Sequence, residues 1–74
     1  MIVKIDSRSM VDKLQAGDTI FDPATNEKYT IEEIGEQYLI IAHAVGGLSM
    51  KVIYFSAIVA QGWLWEKKQV SEKA

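Results

Sequence analysis

The stretch YLIIAHAVGGLSMKVIYF, residues 38–55, decides the fold of this chain. Two runs rich in β-branched and aromatic residues, which favour strands, flank the pair Gly46-Gly47. A two-residue hairpin turn needs positive φ at its central positions, and glycine adopts positive φ without steric cost. The stretch therefore predicts two antiparallel strands joined by a tight turn.

A two-residue turn also sets the register of the hairpin, because it places Val45 opposite Leu48. The face that carries this pair is large and apolar, and we expect it to form the core. Its other pairs are His43–Met50, Ile41–Val52 and Leu39–Tyr54. The opposite face is small near the turn and bulky at the base of the hairpin. Its pairs are Ala44–Ser49, Ala42–Lys51, Ile40–Ile53 and Tyr38–Phe55.

The opposite face raises the question of what covers it, because Tyr38, Ile40, Ile53 and Phe55 would otherwise meet water. A contiguous apolar patch of roughly a few hundred Å2 commonly marks an interface. Three covers remain open: the N-terminal segment of the same chain, a second copy, or a foreign partner or ligand. Small residues near the turn, such as Ala42, would admit another backbone or a flat ligand. The N-terminal segment would act through Ile2, Ile5, Met10 and Leu14.

The N-terminal segment predicts a short strand and a short helix. The run MIVKI, residues 1–5, is apolar and contains β-branched residues. In SRSMVDKLQAG, residues 7–17, Ser9 is a candidate cap and Gly17 ends the run. We expect one or two helical turns there, packed by Met10, Val11 and Leu14.

Five β runs follow, at residues 18–22, 28–34, 38–45, 48–55 and 63–66. The turn DPATNE separates the first two runs and contains Asn26, a residue type that tolerates the left-handed conformation. Ile34 breaks the alternation of its run, which predicts a bulge near Glu32-Glu33. Before the last run, FSAIVAQG predicts a helical turn with Ser56 as cap and Gly62 as stop.

This order of elements resembles the SH3-like small barrel, a group that includes Tudor-like and KOW-type domains. The resemblance is carried by GDTIFD at 17–22, the bent KYTIEEIG at 28–35, and SAIVAQG before WLW at 63–65. It covers residues 17–66 and concerns topology alone, so it implies no activity. It implies a mostly-β protein with a barrel of about five strands. The single domain would span residues 1–66, with 1–16 as an extension and 67–74 as a frayed polar tail.

The composition excludes several classes of function. With no cysteine and a single histidine, the chain offers no disulfide, thiol chemistry or His-rich metal site. Lack of cysteine fits a reducing cytoplasm, and we expect neither a signal peptide nor a membrane span. A net charge of −2 and scattered lysines argue against binding to duplex nucleic acid. A domain of 74 residues is marginal in stability, and oligomerisation is one common remedy.

The residues that could carry chemistry have plain structural interpretations. His43 is expected to be a structural histidine at the barrel end. Trp63 and Trp65 share one face of the last strand, where they could line a groove or stack on bases. We expect one of the two in the core and the other partly exposed. An aromatic cage for methylated lysine, as in Tudor-like domains, is a less favoured alternative and would use Tyr29, Tyr38 and Tyr54.

No catalytic motif, phosphate loop or zinc pattern is present in the sequence. The acidic residues are expected to form a solvated strand edge; they are Asp18, Asp22, Glu32, Glu33 and Glu36. We therefore predict a non-catalytic protein-interaction module that needs no cofactor and binds itself or another protein. In general character it resembles accessory proteins of phages or mobile elements, which bind a host protein. A nucleic-acid-binding domain and a ligand-sequestering oligomer are the alternatives. The predicted binding residues are Tyr38, Ile40, Ala42, Ile53, Phe55, Trp63 and Trp65.

Overall fold

The computed structural model of the chain describes residues 1–43 and 49–67. Six strands and two short helices form in the predicted order. The N-terminal segment contains β1 (Ile2–Lys4) and α1 (Arg8–Val11). The remaining elements are β2 (Thr19–Phe21), β3 (Lys28–Ile34), β4 (Tyr38–His43), β5 (Met50–Tyr54), α2 (Phe55–Gln61) and β6 (Leu64–Glu66).

All six strands belong to one antiparallel sheet with the order β1-β6-β2-β3-β4-β5. The predicted mostly-β class is confirmed. The sheet is open, with β1 at one edge and β5 at the other, so closure into a barrel stays a prediction. The edge strand β5 is held by β4 alone among the described strands, and this position matters for the site.

One cluster of buried apolar side chains joins the sheet to both helices. The N-terminal segment supplies Ile5, Val11 and Leu14 to this cluster, and Met10 packs against it. The Arg8 guanidinium carbon lies 4.8 Å from the centroid of the Phe55 ring. The sheet, α2 and the segment before β6 supply the rest: Ile20, Tyr29, Ile31, Leu39, Ile41, Ile53, Phe55, Ile58, Trp63 and Trp65. The N-terminal segment is therefore part of the core.

Several local predictions are confirmed. The register of β3 against β4 shifts between Ile31 and Glu33, which is the predicted bulge. Asn26 adopts a φ of 64° in the turn before β3. Gly62 ends α2 in the left-handed conformation, with a φ of 73°.

Both predicted helix caps are wrong by two residues. Ser9 lies inside α1, whose cap residue is Ser7, and Ser56 lies inside α2, whose cap residue is Tyr54. Neither cap residue makes a side-chain hydrogen bond to the helix. These helices therefore depend on burial of their apolar side chains, as is usual for such short helices.

The predicted register of the central hairpin is wrong by one residue. The structure pairs Ile40 with Val52, whereas the two-residue turn predicts Ile40 with Ile53. The other observed pairs are Tyr38–Tyr54, Leu39–Ile53, Ile41–Lys51 and Ala42–Met50. Such pairing needs an odd number of residues in the connection when both strands run regularly to the turn. The predicted turn at Gly46-Gly47 and the pairs Val45–Leu48 and Ala44–Ser49 lie outside the described residues.

The shift exchanges the two faces of β5, because neighbouring residues of a strand face opposite sides of a sheet. The residues of β4 face the sides that were predicted. Leu39 and Ile41 of β4 are buried, as expected. On β5 it is Ile53 that is buried, together with Phe55 at the start of α2. The prediction that these two side chains point outward is wrong. The exposed apolar residues of β5 are instead the three that were expected in the core: Met50, Val52 and Tyr54.

The two central residues of β5 allow a direct test of which face is in the core. We expect Ile53→Ala to lower the free energy of unfolding by about 2–4 kcal/mol, because it opens a cavity in the core. We expect the control Val52→Ala to cost less than about 1 kcal/mol, because Val52 is 54% exposed. Urea unfolding measures both losses. Equal losses, or a larger loss for Val52→Ala, would contradict this register.

Candidate interaction surface

The hairpin outer face, as we define it, consists of Tyr38, Ile40 and Ala42 of β4 and their partners on β5. The partners Met50, Val52 and Tyr54 are 64%, 54% and 59% exposed. The three β4 residues are partly buried. Each of the six lies opposite another member across the two strands, so they form one contiguous surface.

Polar residues of β3 border the hairpin outer face on one side, and the edge of the sheet borders it on the other. Thr30 of β3 pairs with Ala42, and Glu33 of β3 pairs with Ile40. These two residues set the polar boundary. On the opposite side, β5 has no further strand beyond it among the described residues. The apolar surface therefore continues to a free strand edge.

Tyr38 is held on this face by its contact with Gly35. The Gly35 N–H donates to the Tyr38 carbonyl at 2.8 Å, which closes the turn between β3 and β4. A Cβ at Gly35 would lie 2.5 Å from the Tyr38 ring, so only glycine leaves room for the ring there. The Tyr38 ring consequently lies against the backbone at one end of the hairpin outer face.

The backbone of β5 presents its free hydrogen-bonding groups at the same residues. The Phe55 N–H donates to the Gln37 carbonyl at 2.9 Å, which identifies this opposed pair as hydrogen-bonded. In antiparallel pairs, hydrogen-bonded and non-hydrogen-bonded positions alternate. The N–H groups of Met50, Val52 and Tyr54 therefore point away from β4, toward the free edge.

Three of the seven predicted binding residues lie on this face, namely Tyr38, Ile40 and Ala42. The other four are buried in the core, with exposed fractions of 8% or less. The expectation that one tryptophan is partly exposed is wrong for the same reason. The Trp63 indole N–H donates to Gln61 Oε1 at 2.8 Å. The four core residues are Ile53, Phe55, Trp63 and Trp65.

Sequence reasoning missed Met50, Val52 and Tyr54 because it placed them on the core face. In the predicted register, Lys51 lies on the solvent side of the hairpin. The structure instead places Lys51 on the side of the core, at its exposed end. There its Nζ lies 5.2 Å from the centroid of the Tyr29 ring, so the aliphatic stem follows the sheet while the ammonium stays wet.

A second group of polar and aromatic residues surrounds Tyr29 on the core side of the sheet. The buried Tyr29 hydroxyl donates to Glu27 Oε1 at 2.9 Å. The ring centroid of Tyr29 lies 4.6 Å from that of His43 and 5.7 Å from that of Trp63. His43 Nε2 is 4.0 Å from Glu27 Oε1. His43 thus packs on the end of the core, in the place expected of a structural histidine.

This second group has the chemistry of a structural cluster. Burial raises the pKa of Tyr29, and its hydrogen bond to Glu27 raises it further, while the nearby Lys51 ammonium opposes both effects. A phenol with a raised pKa is a poor nucleophile at neutral pH. The predicted aromatic cage is wrong, because Tyr29 is buried on the core side whereas Tyr38 and Tyr54 lie on the hairpin outer face.

Comparisons with protein-family models, curated proteins and solved structures gave no match to this chain. Within residues 1–43 and 49–67, no three potential ligand side chains converge in a way that could hold a metal ion. Neither helix in these ranges has the length and apolar character needed to cross a membrane. The hairpin outer face is therefore interpreted from its own geometry.

The raised pKa of Tyr29 predicts a loss of stability at alkaline pH. The folded state holds the Tyr29 proton more tightly than the unfolded chain, in which the pKa is near 10. The resulting stabilisation is complete below pH 10 and is lost as the pH rises through the raised pKa. Tyr29→Phe should remove this alkaline loss, at a cost of about 0.5–1.5 kcal/mol near pH 8 for the hydrogen bond to Glu27.

Urea unfolding near pH 8 and above pH 10 checks this prediction, with the exposed Tyr54→Phe as the matched control. The control should lose as much stability above pH 10 as the wild type. An alkaline loss that persists in Tyr29→Phe and disappears in Tyr54→Phe would contradict the assignment.

Proposed function

We propose that this protein is a non-catalytic interaction module whose contact surface is the hairpin outer face. One observation carries the proposal. Of the six large apolar side chains that are exposed in the described residues, three belong to the single strand β5. Scattered exposed apolar residues are ordinary on protein surfaces, whereas a contiguous apolar patch favours an interface. The three residues are Met50, Val52 and Tyr54.

The rigidity of this surface supports the proposal. Ile40 and Ala42 belong to β4, which is paired on both sides, and the Tyr38 ring lies against Gly35. A surface that is already ordered loses little conformational entropy when a partner binds. Apolar area on a sheet with fixed side chains is thus well suited to protein recognition.

The chemistry of the other polar cluster argues against an enzyme. Tyr29 is the nearest to a nucleophile in that cluster, but the residue is buried and its hydroxyl donates its proton in a hydrogen bond to Glu27. Activated nucleophiles need the opposite, a lowered pKa or an adjacent base that accepts the proton in the reaction.

Nucleic-acid binding gains no support from the aromatic residues. Trp63 and Trp65 are buried and cannot stack on bases, and the exposed Tyr54 lies among apolar neighbours. The overall charge of −2 also opposes a polyanionic partner. The proposal includes an SH3-like fold, which the order of β2 to β6, with α2 before the last strand, supports.

The proposal predicts that a charge placed at the Ala42 end of the hairpin outer face strongly weakens partner capture. Ala42→Lys adds a charged side chain between Thr30 and Met50 without removing a core contact. Thr19→Lys adds the same charge on the same side of the sheet, but on β2 beside Glu66. Tagged wild type and both variants would be incubated with extract of the native source, and the captured proteins quantified by mass spectrometry.

We expect a protein that wild type and Thr19→Lys capture equally and that Ala42→Lys captures at least about tenfold less, the effect of losing roughly 1.4 kcal/mol. Thermal unfolding confirms that both variants are folded. Capture that Ala42→Lys leaves unchanged, or no specific capture by wild type, would contradict the proposed function.

A further inference from the structure

We propose that the free edge of β5 pairs with β5 of a second copy of this chain, antiparallel, about a two-fold axis at Val52. The inference rests on the proposed function, because it assigns one partner to the same strand. Its product would be a dimer with one continuous sheet. The two hairpin outer faces would then lie side by side as a single apolar surface.

The first argument is that β5 lacks the features that keep sheet edges apart. Natural edge strands are shortened, broken by proline, or lined with outward charges. The other edge strand of this sheet, β1, has three residues. β5 has five residues, no proline and a single charge, on Lys51. The Lys51 ammonium is directed back toward the Tyr29 ring, so it does not guard the edge.

The second argument is that alternate residues of β5 direct their backbone hydrogen-bonding groups to the free edge. Only Met50, Val52 and Tyr54 direct hydrogen-bonding groups to the free edge, as the Phe55–Gln37 bond establishes. A second copy must therefore place its own even-numbered residues opposite them. In a symmetric dimer, the two β5 strands then overlap substantially only when the two-fold axis lies at Lys51, Val52 or Ile53.

Charge and the number of paired edge-facing residues select among these three centres. A centre at Lys51 makes the two Lys51 residues a directly opposed cross-strand pair, and like charges in such a pair are destabilising. A centre at Ile53 opposes only Val52 and Tyr54 of one copy to those of the other, so the edge-facing groups of Met50 have no partner within β5. A centre at Val52 avoids both problems, because it pairs all three edge-facing residues and places Lys51 opposite the partner's Ile53. Val52 then exchanges two hydrogen bonds with its symmetry mate.

The side chains of this pairing complement each other. Met50 would lie opposite the partner's Tyr54, and a thioether beside an aromatic ring is a favourable contact. The two Val52 side chains would meet at the axis. With few side chains in contact, the buried area falls at the low end of specific interfaces, so the dissociation constant should be on the order of 100 μM.

The test is amide hydrogen exchange, followed residue by residue by NMR on the wild-type chain at about 20 μM and about 1 mM, concentrations that bracket the expected dissociation constant. In the monomer, the N–H groups of Val52 and Tyr54 face solvent. In the dimer they are bonded, so we expect their exchange to slow about fourfold at the higher concentration, in proportion to the fall in the monomer fraction. The N–H groups of Lys51 and Ile53 face β4 in both states and serve as internal controls. Sedimentation at the same concentrations should show a shift from monomer to dimer.

Two substitutions at Val52 distinguish the contribution of the strand edge to dimerisation from that of the apolar surface. Val52→Pro removes an N–H that points to the free edge, a position where strands tolerate proline. Val52→Thr replaces one methyl group of the surface with a hydroxyl group and keeps the N–H. Val52→Pro should remain monomeric at about 1 mM, whereas Val52→Thr should still dimerise. If Val52→Pro does not fold, the alternating exchange pattern in the wild type still decides the question.

A monomer at about 1 mM, a dimer without alternating protection, or a dimer of folded Val52→Pro would overturn the inference. Protection confined to β1 would assign self-association to the other edge and would also overturn it. Ala42→Lys leaves β5 intact, so its dimerisation reports on the edge alone. If dimerisation is absent but partner capture is observed, the edge pairing is wrong and the proposed function is supported. If the chain dimerises but captures no partner, the proposed function is wrong and the edge pairing is supported.

Discussion

The pairing of β4 with β5 is the constraint on which the rest of this structure depends. It places Ile53 beside Leu39 on the core side and leaves Val52 and Ile40 on the other side. With Ile53 and Phe55 turned inward, α2 and the N-terminal segment have an apolar surface to cover, and the core becomes continuous. A register one residue away would exchange the two faces of β5 and leave the helices against Met50, Val52 and Tyr54.

Most of the fold could be predicted from local chemistry, because its signals lie within a few residues of each element. The turn at Asn26, the bulge beside Glu33 and the helix stop at Gly62 all follow from residue type and alternation. The site could be predicted only on β4, whose residues Tyr38, Ile40 and Ala42 face outward as expected. On β5 alternation indicates the wrong face, because Met50, Val52 and Tyr54 are all apolar whereas Lys51 between them is charged. The register then rested on the turn, and a pair of glycines is compatible with more than one turn length.

The exposed apolar surface has a cost for a chain of this size. A domain of 74 residues buries a modest share of its surface, and here Val52 and Tyr54 stay outside the core while Lys51 lies at its end. That arrangement is costly for a monomer but useful for a protein that binds others. The question that the sequence raised about the covered face thus has two parts. The N-terminal segment covers Phe55, through Arg8, and a partner is proposed for the side that carries Ile40.

Cross-strand Hα–Hα nuclear Overhauser effects test the register most directly, because Hα atoms face each other in the non-hydrogen-bonded pairs of an antiparallel sheet. The account predicts strong effects between Ile40 and Val52 and between Tyr38 and Tyr54. Strong effects between Ile41 and Val52, or between Leu39 and Tyr54, would establish the other register. They would return Ile53 to the surface and contradict both the core and the interaction surface described for this protein.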